Sequence, residues 1–347
     1  MAYPVPPLPA MAFTRLPEPE ELRVLQCAAA RAYGAADPAM VVAAPGTQVL
    51  ISLLPRLFPC RTATILGPTY AEHAAAWRNA DSEVLLLPLS LGLGREADQG
   101  WGEGGGKHQP FSDKRPGGKV RVCGLPHPDP LPEREGGEAA LVVCNPNNPD
   151  GHRTSIQRLL ALARQQAACN GLLVVDEAFA DFEAGDSLAP SLPLPGVVVL
   201  RSFGKTYGLA GLRLGFALAS PERAALIRTA LGPWAVSGPA LHIGATALRD
   251  TAWRDAAAAR LRGDAAALDR LLAGAGLRVL GGTMLFRLAE ATDAAGLAGR
   301  LGRAGILVRS FADAPNRLRF GIPGDPAAWD RLAAALGVGQ AEAGVAP

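Results

Sequence analysis

The chain carries almost no excess charge. Its 34 Lys and Arg against 32 Asp and Glu leave a formal +2 over 347 residues, too little to argue for nucleic acid or an anionic membrane surface as a partner. No apolar stretch is long enough to span a bilayer. Met1 to Phe13 is proline-rich and has no basic start, so it does not read as a secretory signal. The five cysteines (Cys27, Cys60, Cys123, Cys144, Cys169) are odd in number and form no C-x-x-C pair. They read as reduced, mostly buried thiols of a cytoplasmic protein. The five histidines show neither H-x-x-x-H nor H-E-x-x-H spacing, and no metal is expected.

What is present is a large apolar fraction, 49% hydrophobic against 19% charged, which suits a soluble globular chain with a sizeable core and two domains. Apolar strands are expected near residues 62–66, 83–87, 140–144, 171–175, 197–201 and 213–218. They alternate with Ala- and Leu-rich helical segments at 20–33, 47–56, 71–79, 154–169 and 221–231. That order implies an α/β fold with a mostly parallel sheet covered on both faces. Long helices at 239–273, strands near 277–280, 283–288 and 316–321, and an intervening helix read as a smaller α+β domain. Residues 92–138 hold many glycines and prolines with no apolar periodicity, and are expected to form a disordered insertion without a catalytic role.

The most informative run is Ser202-Phe203-Gly204-Lys205-Thr206-Tyr207-Gly208-Leu209-Ala210-Gly211-Leu212-Arg213-Leu214-Gly215. It places one lysine among small residues, a hydroxyl three residues before it and an arginine eight after. Lysine forms Schiff bases with carbonyl cofactors and substrates, while serine and the planar fork of arginine suit a phosphate. Together they describe a site for pyridoxal 5'-phosphate. A nucleotide P-loop is the competing reading of Gly204-Lys205-Thr206, but it needs glycine at position 199, which is Val199. Upstream, Leu172-Leu173-Val174-Val175-Asp176 reads as a buried strand delivering Asp176 at its carboxyl end, where open α/β sheets place ligands. A carboxylate there can pair with the pyridine nitrogen and keep the ring an electron sink. The apolar strand ending at Cys144 is followed by Asn145-Pro146-Asn147-Asn148-Pro149, a turn that presents the Asn148 amide.

With these elements in this order, the chain resembles the fold-type I pyridoxal-phosphate enzymes of the class I/II aminotransferase superfamily, from about Leu22 to Gly321 apart from the insertion. The resemblance implies that Lys205 carries the cofactor, Asp176 pairs with its ring nitrogen and Asn148 binds its ring oxygen. Ser202 and Arg213 would hold the phosphate, together with the backbone of Pro45-Gly46-Thr47-Gln48 at a helix start. Tyr70 would stack on the ring. Phe179 stands where many relatives have tyrosine, so one hydrogen bond to the ring oxygen is absent. By the same likeness, residues 1–20 join the small domain, 21–237 form the large domain, 238–347 form the small domain, and the protein is a homodimer.

Ala43-Ala44-Pro45-Gly46-Thr47-Gln48, Leu54-Pro55-Arg56-Leu57, Pro68-Thr69-Tyr70-Ala71-Glu72-His73 and Asp176-Glu177-Ala178-Phe179 are similar, more narrowly, to the threonine-phosphate decarboxylase group of cobalamin biosynthesis. Arg319 then matches an arginine for the substrate α-carboxylate, and Arg309 resembles a contact to substrate phosphate. The expected substrate is a phosphorylated amino acid. A histidinol-phosphate-type aminotransferase, which this group resembles closely, is the nearest alternative; an inactive cofactor-binding remnant is another, given the insertion and the further substrate-binding stretch that relatives carry before the segment matching Tyr3-Pro4-Val5-Pro6.

Overall fold

The computed structural model describes residues 2–90, 139–183 and 185–338. The insertion expected at 92–138 lies outside the described residues. Two compact units result: one built from Ala2–Asn145 and Arg153–Asp250, the other from Pro146–His152 and the chain from Thr251 onward.

The larger unit is organised by a seven-stranded sheet in the order β1-β7-β6-β5-β4-β2-β3. Its strands are β1 (Val41–Ala44), β2 (Thr62–Gly67), β3 (Glu83–Pro88), β4 (Ala139–Cys144), β5 (Leu172–Asp176), β6 (Val197–Ser202) and β7 (Gly215–Ala219). β3, β2, β4, β5 and β6 run parallel, and β7 is antiparallel to both β6 and β1. The central strands are nearly unbroken apolar runs because helices cover both of their faces. Leu172 through Asp176 and Gly215 through Ala219 are buried throughout. Between strands come α2 (Pro19–Tyr33), α3 (Thr47–Leu57), α4 (Ala71–Arg78), α5 (Ile156–Ala168) and α7 (Pro221–Leu231), the short α1 being Met11–Thr14 and α6 Phe203–Thr206. The starts of α5 and α7 are fixed by Ser155 and Ser220, whose hydroxyls accept from the backbone N–H of Arg158 and Arg223.

β1 was not anticipated. Val-Val-Ala-Ala is only four residues long and is as compatible with a helix as with a strand; its pairing with β7, from Val41↔Leu218 to Ala44↔Gly215, decides the matter. The N-terminal segment, from Ala2 on, falls in the larger compact unit. The Tyr3 N–H donates to Tyr207 O at 2.8 Å, and its hydroxyl donates to Asp250 at 3.1 Å. α8 (Gly238–Arg249) also belongs to the larger unit, with Gly238 so close to the backbone of Ala12 that a Cβ would stand 2.3 Å from its carbonyl oxygen. The two compact units divide at 250/251, where Asp250 separates α8 from α9 (Thr251–Gly274).

The smaller unit holds a four-stranded antiparallel sheet in the order β10-β11-β9-β8, formed by β8 (Arg278–Thr283), β9 (Phe286–Glu290), β10 (Arg309–Ser310) and β11 (Arg317–Gly321). Leu268, Leu271 and Leu272 of α9, Leu297 and Leu301 of α10 (Ala294–Arg303) and Trp329 and Leu332 of α11 (Pro326–Leu336) pack in one core with Leu318 and Phe320. The loop Pro146–His152 joins this unit through Gly151. Its φ is +75°, and a Cβ there would lie 2.1 Å from Gly282 O. Only glycine permits that approach. No described helix is long and apolar enough to cross a membrane. Cys27, Cys60 and Cys144 form no disulfide.

Gly151→Ala adds a backbone clash to a positive-φ penalty of about 1 kcal/mol or more. Chemical denaturation should show the variant less stable than the parent by at least that amount. Unchanged stability would mean that the loop does not dock on β8 as described.

Candidate active site

Parallel strands deliver their carboxyl ends to one edge of a sheet. In the larger unit, that edge collects Asp176 from β5, Ser202 from β6, the turn after β1 and the segment after β2. Because β7 runs the other way, its first residue, Gly215, lies at this same edge and pairs with both Ala44 and Ser202. A Cβ on Gly215 would stand 2.6 Å from Thr47 N, so glycine is what lets the two backbones meet.

The turn itself is Gly46, at φ +87°, which caps α3 without any side-chain hydrogen bond to the first-turn N–H groups. Those donors at Thr47 and Gln48 are thus available to an anion, with the helix dipole favouring negative charge. Arg213 closes the other side. A Cβ on Gly46 would stand 2.6 Å from its Nη2, so the guanidinium lies directly against the turn. Arg213 adopts the left-handed region at φ +53°, and its Nη1 donates to Ala210 O at 3.2 Å. The Gly46–Thr47 turn and the Arg213 guanidinium thus adjoin at this edge, where Ser202 pairs with Gly215. Lys205 lies just beyond on α6, with Nζ 5.6 Å from the centre of the Phe179 ring.

Tyr70 caps α4 and is 40% exposed; its hydroxyl donates to Gln48 Oε1 at 3.0 Å, and Gln48 Nε2 donates to Glu72 at 3.0 Å. This ties the expected stacking residue to the start of α3. The Tyr70 ring meets the His73 imidazole edge to face at 6.2 Å.

His73 has no role in the sequence reading, yet it is central here. It is 1% exposed and its Nε2 lies 2.8 Å from Asp176 Oδ2. The side-chain donors of His73, Cys144 and Asp176 fall within 4.8 Å of one another. Burial alone would lower the imidazole pKa; the Cys144 sulfur and the Asp176 carboxylate outweigh it and push the pKa up to about 10. The signal available in the sequence was a polar residue three positions after Tyr70 on a helix whose other inward positions are Ala74 and Trp77.

The remaining expected residues lie in the smaller unit. Arg309 and Arg319 are cross-strand partners on β10 and β11. Arg319 Nη1 donates to Asn148 Oδ1, and its guanidinium stacks 5.0 Å from the centre of the Phe286 ring. Burial, then the neighbouring Arg309 charge, pulls the Arg319 pKa down. Two adjacent cations with no acid between them suit an anion.

The donor set fits pyridoxal 5'-phosphate. It holds a primary amine on Lys205, a buried carboxylate backed by an imidazole, and a glycine-walled cradle that a Cβ would fill.

Residues 129–336 match the family described as Aminotransferase class I and II. The chain is 37% identical to a threonine-phosphate decarboxylase of Pseudomonas aeruginosa, covering 96% of this chain and 87% of that protein. It is 40% identical to a threonine-phosphate decarboxylase of a Sinorhizobium species, with the same coverage. The crystal structure of a histidinol-phosphate aminotransferase from Sinorhizobium meliloti, in complex with pyridoxal-5'-phosphate, superposes with a TM-score of 0.73 at 23% identity, over 94% of this chain and 83% of that one. The chain belongs to the class I and II aminotransferase family, and its fold is that of the fold-type I enzymes.

His73 generates a pH dependence whose sign is fixed. Its folded pKa lies above the ordinary 6.5, so its stabilisation is complete below pH 6.5 and is lost as pH rises through about 10. The stability advantage of cofactor-free parent over His73→Gln should be largest near pH 6 and shrink toward pH 10. A gap that is flat or grows with pH would show that the buried imidazole is neutral.

Proposed function

We propose that the protein is a pyridoxal-phosphate-dependent carboxy-lyase that releases CO2 from O-phospho-L-threonine and leaves (R)-1-aminopropan-2-yl phosphate, the precursor of the cobalamin side chain. The likeness to two threonine-phosphate decarboxylases over 96% of the chain carries this reading. The pair of arginines in the smaller unit supports it, since the substrate offers a carboxylate and a phosphate.

Bound pyridoxal phosphate supplies an electron sink for the pair left when a bond to the substrate α-carbon breaks. The rest is the work of the chain. Ser202, Arg213 and the first-turn N–H groups of α3 hold the cofactor phosphate, with Gly46, Thr47 and Gln48 forming the turn. Asp176, hydrogen-bonded to His73, would hold the proton on the ring nitrogen, Asn148 would bind the ring oxygen, and Tyr70 would cover the ring. Lys205 attaches the cofactor, and its Nζ is the group that returns a proton to the α-carbon once CO2 has left. Arg319 grips the substrate carboxylate through its planar fork, and Arg309 takes the substrate phosphate. By orienting the substrate carboxylate, this grip would favour loss of CO2 over loss of the α-proton. The enzyme works as a homodimer in the cytoplasm, as its family resemblance implies.

Purified protein should be yellow, and borohydride should fix the cofactor on Lys205, as peptide mapping would show. It should release CO2 from O-phospho-L-threonine without a keto-acid acceptor. Arg319→Ala should reduce that rate on the order of 10²-fold, the effect of losing one positioning contact. Amino transfer from histidinol phosphate to 2-oxoglutarate, with no CO2 from threonine phosphate, would replace this reading with the aminotransferase.

A further inference from the structure

Behind the residues that line the carboxyl edge lies a second, buried set with no part in the chemistry above. Arg201 is 5% exposed and Glu177 is fully buried. Arg201 Nη1 donates to Glu177 Oε2 at 2.6 Å, and its Nη2 donates to Asp181. The Glu177 carboxylate also accepts from the Ser187 hydroxyl and the Leu188 N–H, each at 2.7 Å. Asp181 then accepts a hydrogen bond from the Thr206 hydroxyl through its second oxygen. On its outer side, the Arg201 guanidinium lies 4.5 Å from the centre of the Tyr33 ring.

The arrangement has a sequence logic. Three members are each one residue away from a group assigned to the cofactor: Glu177 follows Asp176, Arg201 precedes Ser202, and Thr206 follows Lys205; Asp181 bridges Arg201 and Thr206. Successive strand residues face opposite sides of a sheet, and successive helix residues differ by about 100° in direction. Residues adjacent in sequence are therefore divided between two faces. A charge network on one face fixes the backbone pitch that aims the residues on the other. α6 has only four residues and no side-chain cap, so it has little stability of its own. Apart from its chain connections and the backbone bonds of that turn, the Thr206–Asp181 bond is what ties its last residue to β6 through Arg201.

We propose that Arg201, Asp181 and Thr206 form a positioning relay for Lys205, holding the amine in the geometry that attaches the cofactor and exchanges its proton. This rests on the reading of Lys205 as the attachment residue. The relay acts through the backbone of α6, and none of its members touches the cofactor.

The test needs no substrate, so it stays readable if the decarboxylase assignment fails. Lys205→Ala checks the attachment residue separately, through loss of the visible absorbance band. Thr206→Val keeps the shape of the side chain and removes the donor; Thr206→Ser keeps the donor. In the cofactor-loaded protein, the pH midpoint of the visible band should move in Thr206→Val by roughly half a unit or more. Attachment of pyridoxal phosphate to cofactor-free protein should slow by about 10-fold, and Thr206→Ser should restore both. Should Thr206→Val fail to fold, Thr206→Ala carries the same test, since it also removes the donor to Asp181. A variant that melts earlier yet keeps the parent's midpoint and attachment rate would overturn the proposal, leaving the network a purely structural one.

Discussion

The close approach of three backbones at Gly215 is the constraint on which the rest of the site depends. This residue pairs with Ala44 on one side and Ser202 on the other, and has no room for a Cβ against Thr47 N. By running antiparallel, β7 places the start of one strand between the ends of two others. Donors from β1, β6 and the Arg213 loop then meet at one point. A phosphate cup needs such convergence, because backbone N–H groups can be aimed only by fixing the chain that carries them.

Charge is organised in layers around that point. In the larger unit, Asp176 is backed by His73, while the parallel Glu177–Arg201–Asp181 cluster lies on the opposite side of the same strand ends. Burial pushes the Glu177 carboxyl up and Arg201 pulls it back down. Buried ion pairs of this kind add little net stability, because desolvation offsets much of their attraction, but losing one partner is costly. Their value is in specifying geometry. In the smaller unit, by contrast, Arg309 and Arg319 stand side by side with only the neutral Asn148 bonded to Arg319. That is an unbalanced positive pair, as an anion-binding surface requires.

Legibility differed among the elements for physical reasons. β4, β5 and β6 were plain in the sequence because double-sided burial demands continuous apolar runs with polar residues only at the ends. β1 and β10, four and two residues long, carry no periodicity, and only their partners make them strands. The segment 239–273 read as long helices with no break assigned, since nothing in Leu248-Arg249-Asp250-Thr251 marks one; the unit boundary falls there. In the N-terminal segment, Tyr3 is bound to Tyr207 and Asp250 by contacts that no local pattern in the sequence encodes.

The sequence by itself determined the α/β class and the residue types at the strand ends. Those follow from local rules: apolar runs for buried strands, glycine for tight turns, and a lysine with serine and arginine at fixed spacing. Tertiary structure alone decided the role of His73, 103 residues from the Asp176 it touches, and the relay joining Arg201, Asp181 and Thr206 behind Lys205. A hydrogen bond between side chains from different elements leaves no periodic trace along the chain, so its partners become known only when the sheet order brings them together.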